Sequence, residues 1–360
     1  MLLLIYSLFV GALALLVLFV TLAPMTGSAK WWIRGWDFPR VQIAAVAAIV
    51  AGLALFLDDP LRIGVILAMA ASGLYQAWRI FPFTPFARED IALAERHDDD
   101  IRCLAINVEM GNDRYDDVAR VIREVDADIV FLMETDQKWV DRMEDALSGY
   151  DTIHREPLEN YYGLVWATRL KVRKVETVQL TVEKTPTLFA LLEDRAGRAF
   201  RFVGLHPKPP VPGVDTEERD AQTLYAACFA RDTDEPVVIM GDFNDAAWSD
   251  TAYRFTHAGR YMDVRAGRGF YSSFHARYWW FRCPIDQLYV TEGVAVSHFE
   301  IGPYVGSDHF PVIARLNFDA DRAARHVKVD KSLSPEEQAE IEAEVDRHRA
   351  RLIDGAEDGA

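Results

Sequence analysis

The chain has 360 residues, 50% of them hydrophobic, with a formal charge of -16, enough material for one large domain and something more. The acidic balance excludes the phosphate-tracking surface of a long-duplex DNA binder, while leaving room for a local pocket that holds a small or lipid-linked phosphate. Three cysteines, Cys103, Cys228 and Cys283, have no metal-like spacing and read as buried small hydrophobes.

The surplus lies at the front. Residues 2–23 are apolar and uncharged, long enough to cross a bilayer at about 20 residues per span. Two shorter apolar runs follow at 41–57 and 63–78, with a tight hairpin predicted at Asp58-Asp59-Pro60. The first run lacks the basic start of a signal peptide, and three spans is the count it sets up. The second and third runs also fit a re-entrant or interfacial pair. Trp31, Trp32 and Trp36 suit an interfacial belt. Lys30, Arg34 and Arg40 in the loop after the first run favour a cytoplasmic loop and, with it, a cytoplasmic C-terminal domain.

The division expected is a membrane region at 1–80, a proline-bearing linker at 81–99, a soluble domain at 100–318 and a charged tail at 319–360. Within the domain, a strand at 101–108 ends on Asn107. An amphipathic helix at 115–125 leads to an apolar strand at 129–133 that ends on Glu134. A helix at 136–147 comes next, then strands at 162–168 and 172–182. A hairpin of 188–193 with 199–205 ends on His206, and a helix covers 216–230. The apolar strand at 237–240 runs into Gly241-Asp242-Phe243-Asn244. On extended backbone Asp242 and Asn244 share one side; a strand followed by an Asx turn is the plainer reading. Later strands are predicted at 285–290, bearing Asp286, and 311–316, preceded by Gly306-Ser307-Asp308-His309. In the tail, Ser334-Pro335-Glu336-Glu337 starts a charged helix to about residue 353, read as a solvated appendage.

Five separate strands thus deliver a carboxylate, amide or imidazole: Asn107, Glu134, His206, Asp242 with Asn244, and the group Asp286, Asp308 and His309. Packing alone does not ask for this. Glu134 ends an apolar strand, where a charge is costly unless paired or bound to a cation. Carboxylates with amide support and no cysteine suit Mg2+ or Mn2+; zinc is disfavoured by the lack of His-x-x-x-His or Cys-x-x-Cys spacing. Two histidines and a spare carboxylate beside such an ion can orient water and protonate a leaving group.

In order, spacing and residue type, these motifs resemble the endonuclease/exonuclease/phosphatase superfamily over residues 100–318. The matching stretches are Asn107, Asp128 to Glu134, Gly204-Leu205-His206, Gly241 to Asn244, Ile285-Asp286 and Gly306 to Val312. The resemblance implies a sandwich of two mixed β-sheets flanked by helices, an α/β (α+β) fold, with the site at one edge. It implies Glu134 as principal metal ligand, aided by Asn107 and Asp308, with Asp242 acting on the attacking water. It also implies Asn244 and His309 at the phosphoryl group, Asp286 orienting His309, and His206 on a phosphate oxygen or the leaving group. Gln287 stands where the family has histidine. Glu109 reads as a solvated loop acid, with a supporting role at the metal as the alternative. Tyr161 and Tyr162 fit either core packing or a phosphate contact, and Tyr278 to Arg282 either a strand or a groove or lipid contact.

Apolar runs ahead of such a domain resemble a bacterial branch with VanJ-type proteins, which implies a lipid-linked phosphate or pyrophosphate as substrate and a domain outside the cytoplasmic membrane. A membrane-tethered nuclease and a non-catalytic receptor or scaffold are the alternatives; loss of several site residues would mark the last. The sequence carries no signal for oligomeric state.

Overall fold

The computed structural model describes residues 1–181, 185–325 and 331–357. Four helices come first: α1 (Leu2–Leu22), α2 (Trp31–Arg34), α3 (Arg40–Ala54) and α4 (Leu61–Ile80). By length and composition α1 and α4 can cross a membrane; α3 qualifies only when joined to the segment Trp31–Asp37, from which it is bent by 80°. Valines, alanines and one methionine of α1, α3 and α4 interlock in a core of their own. α1 and α4 end, and α3 begins, beside the domain that follows, so the three helices alternate in direction.

Residues 81–99 are not a free tether. Ile91 is buried in the central core, Ala94 N–H donates to Val296 O (2.8 Å), and Phe83 packs edge-on against Trp248. The apolar side chains at 83, 91 and 94 strap this segment onto the domain. Phe86 is left exposed.

The domain contains β1 (Ile101–Asn107), α5 (Tyr115–Val125), β2 (Ile129–Met133), α6 (Gln137–Leu147), β3 (Thr152–Glu156), β4 (Leu164–Thr168), β5 (Lys171–Gln179), β6 (Pro186–Glu193) and β7 (Ala199–Gly204). It continues with α7 (Glu217–Arg231), β8 (Val237–Asp242), α8 (Asp250–Ala258), β9 (Met262–Asp263), β10 (Asp286–Val290), β11 (Ala295–Ile301), β12 (Val312–Asn317), α9 (Ala320–Ala324) and α10 (Pro335–Glu357).

One sheet runs β11-β12-β1-β2-β4-β3 and the other β5-β6-β7-β8-β10-β9. Each is mixed, with one parallel pair: β1 with β2, and β7 with β8. Alternate residues of β1, β2, β6, β8, β10 and β12 meet between the sheets in the main core. The opposite faces carry α5 and α6 on the first sheet, and α7, α8 and α10 on the second. Helix, sheet, sheet, helix is the four-layer sandwich expected.

The tail differs from its reading. Ile341 and Val345 are buried against α7 and α8, and Glu342 and Glu344 pair with Arg231 and Arg254. Ile341 and Val345 stand one turn apart on the same side of α10, so this short apolar step docks while most of the charges face water. The helix is a packed layer, and a solvated appendage is the wrong description for it.

Candidate active site

β1 and β2 run parallel, and β12 runs antiparallel to β1, so the start of β12 lies level with the ends of the other two. In the second sheet β7 and β8 are parallel, and β10 is antiparallel to β8 with Asp286 opposite Asp242. Both sheets therefore present their polar strand ends at one edge. Two contacts across the sandwich bring the edges together. Asn107 Nδ2 donates to Asp242 Oδ2 (3.0 Å), and the Asp242 N–H points at Met133 Sδ (3.2 Å).

Gly241 makes this approach achievable. Its φ is 149°, and a Cβ there would lie 2.0 Å from Leu205 O, so only glycine fits between β7 and β8 at this point. After it the strand stops. Asn244 turns left-handed at φ 47°, and its N–H donates to Asp242 Oδ1 (2.8 Å). This is the Asx turn, and it coexists with the site. It also means Asp242 and Asn244 are not side by side on extended backbone. Asn244 Nδ2 instead donates to Pro207 O (2.9 Å), beside His206.

Asp242 is fully buried at the centre. Around its Oδ2 stand Asn107 Nδ2, His309 Nε2 (3.6 Å) and His206 Nε2 (3.8 Å). Burial, with Asp286 beside it, pushes its carboxyl above the usual range against the pull of the two histidines. His309 Nδ1 meets Asp286 Oδ2 at 2.7 Å, and Asp308 Oδ1 lies 3.9 Å from its Nε2. Burial works against a charged His309, but the Asp286 and Asp242 carboxylates outweigh it and hold the imidazole up to about 10. His206, desolvated and farther from any carboxylate, falls to about 4 and is neutral near pH 7. Two histidines in one pocket thus hold different protonation states, a division suited to separate duties.

Glu134 also has a left-handed backbone, φ 59°. Its carboxylate accepts from Asn107 Nδ2 (2.8 Å) and Met110 N–H (3.3 Å), and His206 Nε2 is 4.0 Å away. No lysine or arginine pairs with it among the described residues. Burial pushes it up to about 7, with the neighbouring Asn107 amide pulling the other way. A carboxylate at 18% exposure with no paired cation is a donor in want of one. The surrounding donors are carboxylates, an amide and imidazoles, without a thiolate, a set that fits a hard divalent ion. Asp242, Asp286 and His309 also place ligand atoms within 4.8 Å of one another. In that group His309 Nδ1 is already bonded to Asp286 Oδ2, which leaves Glu134 as the carboxylate without a cationic side chain on it.

Two supporting serines carried no sequence signal. Ser307 Oγ donates to Asn107 O (2.7 Å) and accepts from His309 N–H (3.0 Å), fixing the loop that bears Asp308 and His309. Ser273 Oγ accepts from Asp286 N–H (3.0 Å). Glu109 is not a solvated acid: it takes the Asp308 N–H (3.1 Å) and pairs with Arg277, because the left-handed turn at 109 folds it back over the rim. Gln287 Nε2 donates to Asp245 O (2.7 Å) and its Oε1 accepts from Arg265 (2.8 Å), so the missing histidine is replaced by a buried clamp. Tyr162 lies with its ring 5.6 Å from His206, at the site, while Tyr161 is exposed.

The profile of the Endonuclease/Exonuclease/phosphatase family matches residues 104–309, from β1 to His309. The chain belongs to this family. Its members are divalent-metal-dependent phosphoester hydrolases, the class to which the fold and the buried acid and histidine group correspond. Solved structures share the fold at low identity. A Bacteroides thetaiotaomicron family protein gives a TM-score of 0.52 at 18% identity, covering 62% of this chain and 96% of that one. D. rerio TDP2, complexed with a single-strand DNA product, gives 0.51 at 16%, covering 61% and 100%. A mannosyl-6-phosphatase from B. thetaiotaomicron gives 0.50 at 18%, covering 61% and 100%. The comparison with curated proteins finds no match.

Proposed function

We propose that this chain is a membrane-anchored, Mg2+- or Mn2+-dependent phosphoesterase that hydrolyses a phosphate ester or pyrophosphate borne by a lipid. The observation that carries the chemistry is Asp242 Oδ2, buried between an amide and two imidazoles. Asp242 orients water for in-line attack and takes its proton. His309, oriented and kept charged by Asp286, donates from Nε2 to a phosphoryl oxygen. Neutral His206 holds a second oxygen or serves the leaving group, and Asn244 shapes the rim between them. Glu134, with Asn107 and Asp308, would hold the ion, which when bound supplies positive charge to polarise the phosphoryl group. The lipid part of the reading rests on helices α1 and α4, which are apolar enough to cross a membrane.

The test uses the full chain in detergent with Mg2+, assayed on bis-p-nitrophenyl phosphate, a polyprenyl pyrophosphate and single-stranded oligonucleotides. Asp242→Asn and His309→Gln should each lower kcat by about a thousandfold or more, the scale of removing one main transition-state contact, with the fold intact by circular dichroism. Unchanged turnover in both variants would sink the site assignment. Cleavage of the oligonucleotide alone would replace the lipid reading with a nuclease.

A further inference from the structure

The run from Tyr278 to Arg282, open between strand, groove and lipid contact, lies within the stretch from Phe274 to Cys283. In the structure it is a loop rooted in the active site and tipped with exposed aromatics. At its base the Phe274 ring lies 5.0 Å from that of His309, and Phe274 pairs with Cys283 through the backbone. The Ala276 N–H donates to Asp308 O (2.6 Å), and Arg277 Nη2 reaches Gly306 O (2.9 Å) and the Glu109 carboxylate. At its tip Tyr278, Trp279 and Trp280 are 49%, 82% and 59% exposed.

Three adjacent exposed rings of this size are costly in water unless something covers them. One contact says what. The Trp280 carbonyl accepts from Gln42 Nε2 (3.1 Å), and Gln42 stands in the first turn of α3. The tip therefore lies level with the domain-side ends of the apolar helices. Other exposed rings, Trp32, Trp78 and Phe81, cluster in sequence at those same helix ends. Phe38, Val41 and Ile80 of the helical region pack in one cluster with Phe83, Trp248, Cys283, Ile285 and Phe274. Tryptophan and tyrosine are the residues that settle at the boundary between acyl chains and headgroups.

From these observations we infer that Tyr278, Trp279 and Trp280 form an interfacial loop, inserted in the leaflet beside α3, which presents the site to the phosphate headgroup of a lipid in that leaflet. This deepens the phosphoesterase reading and, for its substrate half, rests on it. Reach supports it: Ala276 to Trp279 is three residues, about 10 Å of chain at most. The headgroup layer is about 5–8 Å deep. A tip at the acyl boundary leaves the Asp308 and His309 loop close above the plane of the phosphates.

The test reconstitutes the full chain in phosphatidylcholine nanodiscs and compares it with a double variant, Trp279→Ser with Trp280→Ser, neither residue belonging to the catalytic group. Tryptophan emission is read in plain and in brominated phosphatidylcholine. The emission removed by the substitutions should be mainly the part that bromine quenches. With the water-soluble bis-p-nitrophenyl phosphate, kcat/KM should stay within about twofold. With a polyprenyl pyrophosphate in the bilayer it should fall about tenfold, mostly through KM, equal to about 1.4 kcal/mol. If the lost emission was insensitive to bromine, the rings lie in water or on a protein surface and the inference is overturned. If both substrates decline together, the loop merely supports the site and the inference again fails. A wild-type chain that hydrolyses neither substrate overturns the proposed function and the substrate half, while the quenching result still decides whether the loop is inserted.

Discussion

Glu134 is held from water by its own strand end, with only two neutral N–H donors on its carboxylate and an ordinary value near 4.5 pushed up to about 7 by burial. The sign follows from linkage: the folded state favours the protonated group, so its contribution is greatest in acid and is withdrawn as pH rises from about 4.5 to about 7. A divalent ion at the carboxylate removes that loss and competes with the proton. Mg2+ should therefore raise the melting temperature of the full chain more at pH 8 than at pH 5.5, and calorimetry in buffers of different ionisation enthalpy should detect proton release on binding near neutrality. An equal Mg2+ shift at both pH values would remove Glu134 from the metal. Gly241 gives a second test at this scale. Gly241→Ala must place a methyl 2.0 Å from Leu205 O at φ 149°, so it should yield protein without turnover and with a lowered melting temperature, whereas Gly111→Ala, with open space around it, should not. The polar strand ends were legible because a carboxylate closing an apolar run violates burial rules unless it has work to do. The bonds made by Glu109, Ser307 and Gln287 were not, since each depends on a turn or a partner far away in sequence.

At the level of elements, periodicity located most of the strands that build the site and missed β3, β9 and β11. β3 is an edge strand of half-buried polar residues, β9 has two residues, and β11 carries a bulge between Val296 and His298 that breaks its alternation. Helix α8 went unpredicted, although Ser249 caps it, its Oγ accepting from Ala252 N–H (2.9 Å). For α10, charge concealed the stripe of Ile341 and Val345. Ile341 is 1% exposed, so Ile341→Ala should cost about 2–5 kcal/mol, read as a fall of several degrees in thermal unfolding with kcat on the soluble ester unchanged. An unshifted melting temperature would restore the picture of a free appendage.

Across the whole molecule, the apolar helices and the catalytic domain are joined by one buried polar chain. Thr21 on α1 accepts from Gln76 on α4 (3.2 Å), and Gln76 Oε1 accepts from Arg40 on α3 (3.0 Å). Arg40 and Arg34 both pair with Asp37 (2.5 and 3.3 Å), and Arg34 Nη2 donates to Thr251 on α8 (2.7 Å). Trp248 Nε1 adds a bond to Asp37 O (2.6 Å). Polar groups this deep beside apolar helices are expensive unless each has a partner, so the chain specifies one seating of the domain on its helices. The sequence showed these residues only as loop charges with a weak bearing on sidedness, because their pairing is three-dimensional. Asp37→Asn leaves Arg40 buried against a neutral amide, while Arg34 keeps the field of Asp220, and breaking such a pair costs about 3–5 kcal/mol. In nanodiscs this variant should exchange backbone hydrogens faster at residues 246–252 and 274–285, the segments seated on the helices. Its soluble-ester turnover should hold, while turnover of a bilayer-borne phosphate should fall, since a domain free to tilt no longer keeps the site over the headgroups. Unaltered exchange at both segments would show that the domain is seated without the Asp37 pair, by the apolar packing around Phe83 and Trp248 and by the Arg79–Asp250 and Lys30–Asp215 pairs.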